Sequence, residues 1–111
     1  MPVRSFIEFH IREGAEAEFE RAYLDGGFLD KAIHAHGFLG GEFLKKSDVP
    51  PVYAASALWH AEEDYTAWQR GYGAVFSAEA LERLAHCFLK PPQGVALRVL
   101  SRAPSVNERE A

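Results

Sequence analysis

The sequence predicts one α+β domain with four antiparallel strands and two helical regions in the order β-α-β-β-α-β. Three observations lead to this fold class. Four short runs are rich in β-branched and aromatic residues, longer runs carry apolar residues at helical spacing, and glycine or proline clusters separate them. A length of 111 residues suits a single domain. We expect this domain to span residues 1–102 and the polar segment 103–111 to be a disordered tail.

The elements follow from these patterns in chain order. Strands are predicted at residues 4–11, 38–45, 52–60 and 95–101. The first helical region is predicted at 15–36, and the second consists of a helix at 62–70 and a further helix after the candidate N-cap Ser77. The order of these elements is that of the ferredoxin-like fold, which has a four-stranded antiparallel sheet with its helices on one face.

Glycines interrupt this plan at four places. The pair Gly26–Gly27 costs about 2 kcal/mol relative to alanine inside a helix, so we expect a kink or a break there. Gly37 is placed to end the helical region in a left-handed conformation. Gly40–Gly41 predicts a bulge in the second strand, and Gly71–Gly73 is expected to interrupt the second helical region.

The strands are apolar on both faces, which predicts a partner. Phe6–Ile7, Phe38–Leu39 and Phe43–Leu44 are adjacent apolar pairs whose members point to opposite sides of the sheet. Because the helices cover one side only, we expect a second copy of the chain to cover the other, giving a homodimer with sheet packed on sheet.

Composition excludes several function classes. The net charge of −4 and the scattered lysines and arginines argue against nucleic-acid and anionic-membrane binding. Cys87 is the single cysteine, so neither an intrachain disulfide nor a multi-cysteine metal site can form. No apolar run reaches about 18 residues and the N-terminus does not resemble a signal peptide, so a cytoplasmic protein is expected. An aromatic content of 13% indicates an aromatic-lined cavity or an interface.

The stretch Val52–Gly73 carries the strongest functional signal. It runs from an aromatic strand into a helix and contains Trp59, His60 and Trp68. Trp68 suits a pocket wall and core packing equally well, whereas Trp59 at the strand end is expected to be structural. His60 is a candidate general base, because histidine as a residue type changes charge near neutral pH, and the alternative is a surface or interface residue.

Three motifs resemble one known family. They are Gly14-Ala15-Glu16-Ala17-Glu18-Phe19, Gly37-Phe38-Leu39-Gly40, and the run Trp59-His60-Ala61-Glu62-Glu63-Asp64-Tyr65-Thr66-Ala67-Trp68. Together they are similar to the antibiotic biosynthesis monooxygenase superfamily over roughly residues 4–101. The resemblance implies a dimeric α+β barrel and oxygen-dependent chemistry of one of two kinds.

The first kind is heme degradation. The resemblance implies an asparagine on the first strand, a tryptophan on the second helix and a histidine as iron ligand. The matching positions are Ile7, Trp68 and approximately Ala78, so only the tryptophan is present. His86 lies eight positions beyond Ala78, and heme is therefore disfavoured as a cofactor.

The second kind is oxidation of polyphenols to quinones without metal or flavin. The family uses asparagine here, and the chain has none outside the tail. Asp64 lies one helical turn before Trp68 and Tyr72 one turn after it, so the three share a face if the helix reaches that far. The catalytic candidates are therefore Trp68, Asp64, Tyr72 and His60, with no cofactor and no metal.

Three hypotheses remain. The leading one is a cofactor-independent monooxygenase that acts on a small aromatic or polyketide-like molecule. The alternative is a non-catalytic dimeric barrel that binds a small apolar ligand or heme. The third is an atypical heme-degrading monooxygenase.

Overall fold

The computed structural model describes residues 1–46 and 48–103, so the predicted tail lies outside the described residues except for Ala103. Eight elements follow one another along the chain. They are β1 (Val3–His10), α1 (Glu16–Asp25), α2 (Phe28–Ala32), β2 (Phe38–Lys46), β3 (Val52–Trp59), α3 (Glu62–Val75), α4 (Ala78–Ala85) and β4 (Gln93–Arg98).

The four strands form one antiparallel sheet in the order β2-β3-β1-β4. This confirms the predicted ferredoxin-like arrangement. In the central strand β1, Ile7 pairs with Ala55 of β3 and with Gly94 of β4. Because directly paired residues share a face, these three positions lie on the side of the sheet that faces the helices.

The first helical region is broken where the glycine pair predicted it. α1 ends at Asp25 and α2 begins at Phe28, and Gly27 between them has a positive φ of 64°. The predicted bulge is also present, since the pairing of β2 with β3 shifts register between Phe38 and Gly40.

One helix prediction is wrong. α3 does not stop before Gly71–Gly73 but continues to Val75. Its C-terminal turn is held by aromatic contacts, because the Tyr72 ring lies 4.7 Å from Phe76 and the Trp68 ring 5.8 Å from Phe76. This packing outweighs the helix cost of about 1 kcal/mol for each glycine. Smaller differences affect the strands, since β3 ends at Trp59 and β4 runs from Gln93 to Arg98.

Aromatic residues dominate the core between sheet and helices. Phe19 and Tyr53 are fully buried with ring centres 4.9 Å apart, and Tyr23 stacks on Phe43 at 3.9 Å. Cys87 is buried and free. Within the described residues, no helix combines the length and the apolar character that crossing a bilayer requires.

Candidate functional site

Helix α3 lines several spaces, and three of them contain the candidate residues or lie next to them. The interior cavity lies between the sheet and the helices, the groove opens between α3, α4 and β4, and the cleft opens between α2 and α3. Since α3 contributes side chains to all three, these side chains lie between the spaces and separate them.

The interior cavity is almost filled by side chains. About 40 Å³ of it could be occupied by water, which is room for a few molecules at most. Its walls are mainly aromatic and include Tyr23, Phe28, Phe38, Trp59, Tyr65, Trp68 and Tyr72. Trp59 is buried and donates a hydrogen bond from Nε1 to Ser5 Oγ at 3.0 Å, which agrees with the structural role expected for it.

The groove is larger and mostly apolar. Its volume is about 380 Å³, within the range of small-molecule sites. It is lined by Ile7, Phe9, Gln69, Tyr72, Leu81, Leu84, Phe88, Pro92 and Gly94. Gln69 and Tyr72 carry its polar side-chain groups, so the groove suits a flat apolar molecule with few polar atoms.

The cleft has a volume of about 420 Å³, and the side chains that line it include Lys31 and Asp64. Lys31 Nζ lies 3.5 Å from the Val75 carbonyl oxygen and 5.1 Å from the centre of the Phe76 ring, so it bridges α2 to the end of α3. His34 and His36 both line this cleft.

Trp68 forms a wall common to the interior cavity and the cleft. It is half-buried, with its ring centre 5.7 Å from Tyr72 in an edge-to-face arrangement and 6.3 Å from Trp59. Both alternatives left open by the sequence therefore hold, because Trp68 packs in the core and also lines two spaces.

Tyr72 lines both the interior cavity and the groove. Burial raises its pKa, and the neighbouring Tyr23 and Tyr65 add to this. The hydroxyl is therefore neutral at physiological pH, so it can donate a hydrogen bond but does not act as a base.

Asp64 lies on the other side of Trp68, at the cleft. Its side chain is 13% exposed and its Oδ1 lies 3.7 Å from Nε2 of His36. It also packs against Gly37, which has a positive φ of 80° and where a Cβ would overlap the Asp64 carboxylate. α3 thus brings Asp64, Trp68 and Tyr72 onto successive turns, with the carboxylate facing a different space from the hydroxyl.

His60 is not brought into this arrangement. It is exposed at the turn between β3 and α3, and it lines none of the three spaces. Its backbone N–H donates to the Gly37 carbonyl oxygen at 2.8 Å. A catalytic role for His60 stays a prediction without a geometric argument.

Sequence reasoning missed a polar pair next to the groove. Gln69 Nε2 donates a hydrogen bond to Tyr65 Oη at 2.8 Å. The two residues are four apart on α3, and this spacing is the signal that could have found them. Their proximity to Gly94 of β4 depends on the tertiary fold and has no local signal.

The residues around the groove and the cavity do not fit heme. No histidine lines either space, and Ile7 occupies the position where an asparagine would be needed. His86 is exposed at the end of α4. Within residues 1–46 and 48–103, no cluster of three or more histidine, cysteine or acidic side chains could hold a metal ion.

Comparison with solved structures gives many matches in fold. A candidate antibiotic biosynthesis monooxygenase from Nitrosomonas europaea superposes with a TM-score of 0.68 at 16% identity, covering 89% of this chain and 90% of that chain. SnoaB, a cofactor-independent oxygenase from Streptomyces nogalater, gives 0.64 at 17% identity, with 94% and 98% covered. A dimeric ferredoxin-like protein from an uncultured marine organism gives 0.74 at 15% identity, with 94% and 92% covered.

The chain has the fold of the antibiotic biosynthesis monooxygenases. This confirms the predicted resemblance at the level of the fold. No protein-family model matches the sequence, and no curated protein matches it either.

Proposed function

We propose that the protein is a cofactor-independent monooxygenase of a small hydroxylated aromatic or polyketide-like molecule. One observation supports this proposal most strongly. Tyr72 lines both the apolar groove and the interior cavity, and its ring centre lies 5.7 Å from that of Trp68. The fold shared with SnoaB, which is a cofactor-independent oxygenase, supports the same chemistry.

The substrate itself supplies the electrons in this chemistry. An anthrone-type methylene loses a proton, and the resulting carbanion transfers one electron to O₂. The two radicals combine into a peroxide, which eliminates water to leave a carbonyl. The balance is CH₂ + O₂ → C=O + H₂O, so one oxygen atom enters the product and the other leaves as water. A protein contributes by binding the substrate, taking the proton and holding the anion in an apolar site.

Each candidate residue has a defined part in this proposal. Tyr72 donates a hydrogen bond to the oxygen on which negative charge develops, because burial keeps its hydroxyl neutral. Trp68 lies behind Tyr72 in the wall of the interior cavity, and the aromatic ring packs against it once the cavity has opened to the groove. Asp64, one turn earlier on α3 and largely buried, lines the cleft and not the groove, so it would accept the proton from a substrate that reaches the cleft side of Trp68.

The proposal includes a homodimer. Phe6 on β1 pairs with Val95 on β4, and both lie on the face of the sheet that no helix covers. Val95 and Leu97 are 48% and 53% exposed, and Leu44 of β2 is 41% exposed on the same face. An apolar face of this kind favours burial against a second copy, and one neighbour in fold is itself dimeric.

A second candidate function is non-catalytic binding of a small apolar ligand. It is favoured by the position of Asp64 and His60, since neither carboxylate nor imidazole lines the groove. On this reading the groove would retain a ligand without deprotonating it.

Oxygen uptake separates the two candidates. We would record O₂ consumption with a panel of dihydroxylated anthrones and quinols, using wild type, Trp68→Phe and Tyr72→Phe. The proposed enzyme consumes O₂ faster than the protein-free reaction, and Tyr72→Phe slows it about 10- to 100-fold, which corresponds to loss of one buried hydrogen bond to a developing charge. Rates equal to the protein-free reaction, together with saturable binding, would favour the binding protein. A hemin titration without a saturable Soret shift is the expected control.

A further inference from the structure

The groove and the interior cavity share a wall, and one hydrogen bond crosses it. Ile7, Phe9 and Tyr72 line both spaces, whereas Tyr65 lines only the cavity and Gln69 lines only the groove. The 2.8 Å hydrogen bond from Gln69 Nε2 to Tyr65 Oη therefore joins the two sides.

Gly94 of strand β4 has no side chain, and this leaves room for the hydrogen bond between Gln69 and Tyr65. A side-chain Cβ at Gly94 would lie 2.8 Å from Tyr65 Oη and 3.5 Å from Gln69 Nε2. The hydrogen-bonded pair thus rests directly against backbone, and any side chain at position 94 would displace it.

A ligand in the groove does not contact Trp68, because Trp68 lines the interior cavity and the cleft but not the groove. The groove, at about 380 Å³, accommodates a bicyclic or tricyclic aromatic molecule, but Trp68 does not line it. Trp68 lines the cavity, whose 40 Å³ is far too small for such a molecule. A ligand that starts in the groove reaches Trp68 only if the wall between the spaces opens.

We propose that Gln69 recognises an oxygen atom of the ligand, which replaces Tyr65 as its hydrogen-bond partner and so opens the wall toward Trp68. This inference rests on the proposed function, because it concerns the same ligand. The amide of Gln69 can both donate and accept, so it suits a hydroxyl group as well as a carbonyl. The rest of the groove is apolar apart from Tyr72.

Selectivity follows from the cost of an unpaired polar group. Gln69 is exposed in the free protein, so its amide becomes buried only when a ligand covers it; a ligand without oxygen that covered it and displaced Tyr65 would leave the amide without a hydrogen bond from either water or protein, and this is unfavourable. A ligand with a hydroxyl group restores the bond. Gln69 would therefore discriminate between molecules of equal shape that differ only in this group.

Calorimetric titration with 1-naphthol and 1-methylnaphthalene tests the inference, because the two probes differ by hydroxyl against methyl. We expect wild type to bind 1-naphthol about fivefold more tightly, as one neutral hydrogen bond allows. Gln69→Leu should abolish this preference. Tyr65→Phe should instead tighten 1-naphthol about threefold, because the competing hydroxyl is removed.

The opposite directions of the two variants distinguish recognition from a structural role. Gln69 is exposed, so Gln69→Leu should keep the fold, and thermal melts would verify this for both variants. An unchanged preference in Gln69→Leu overturns the inference, as does equal weakening of both probes by both variants or no binding by wild type. Because this experiment measures only binding, its outcome does not depend on whether the protein oxidises the ligand.

Discussion

At the scale of single residues, the proposed function depends most on Trp68 and Tyr72, because each of them lines two spaces. Asp64 shows that a spacing of four residues on a helix does not by itself place side chains in the same pocket. The interval of four residues correctly places all three on successive turns of α3, yet the carboxylate lies at the cleft and the phenol at the groove.

A separate acid–base contact concerns stability rather than function. Tyr53 Oη donates to Glu20 Oε2 at 2.5 Å, and Lys45 Nζ lies 3.3 Å from the same oxygen. The hydrogen bond from Tyr53, followed by that from Lys45, lowers the pKa of Glu20 below its ordinary value of 4.5.

This lowered pKa makes a pH-dependent prediction. The stabilisation is present above pH 4.5 and is lost as the pH falls through the lower folded-state value. We expect Glu20→Gln to lower the free energy of unfolding at pH 7 by less than about 1 kcal/mol, since the side chain is 42% exposed, and to have a smaller effect at pH 3. Urea unfolding at both pH values measures this, with Glu18→Gln on the exposed side of α1 as control. An equal loss at both pH values would contradict it.

At the scale of elements, local signals predicted where the chain turns. The break at Gly26–Gly27, the bulge at Phe38–Gly40 and the cap at Ser77, whose Oγ accepts from Ala80 N at 3.1 Å, each depend on a few adjacent residues. The extension of α3 through Gly71–Gly73 was missed because aromatic packing across α3 outweighs the glycine cost.

Gly37 offers a test of a turn next to the site. Its φ of 80° is unfavourable for other residues, and a Cβ there would overlap the Asp64 carboxylate. We expect Gly37→Ala to lower the free energy of unfolding by about 2–3 kcal/mol. Gly14→Ala is the matched control, because Gly14 has a φ of 89° with open space around it and should cost only about 1 kcal/mol. Equal losses in denaturant unfolding would show that contact with Asp64 is unimportant.

At the scale of the whole molecule, the fold was predictable and the site was predictable only in part. Strand order follows from the sequence of elements, whereas the interior cavity volume depends on how some fifteen side chains pack. The approach of Gly94 to Tyr65 and Gln69 joins positions far apart in the chain, so no sequence window contains it.

The uncovered face of the sheet makes a prediction about assembly. We expect light scattering to give twice the 12.4 kDa mass of one chain, and Leu97→Glu to shift the protein to monomer because it places a charge in the buried interface. Leu24→Glu is the control, since Leu24 is 67% exposed on α1 in the helical layer and should leave the dimer intact. A wild-type mass near 12.4 kDa would refute the dimer.

The central claim is that this chain inserts one atom of O₂ into an aromatic substrate without a cofactor. Turnover of an anthrone under ¹⁸O₂, with metal-free and flavin-free protein and mass spectrometry of the product, tests it most directly. We expect one ¹⁸O atom per quinone formed. The rate should exceed that of the protein-free reaction, and Trp68→Phe should lower it. Unlabelled product, or a rate equal to the protein-free reaction, would contradict it.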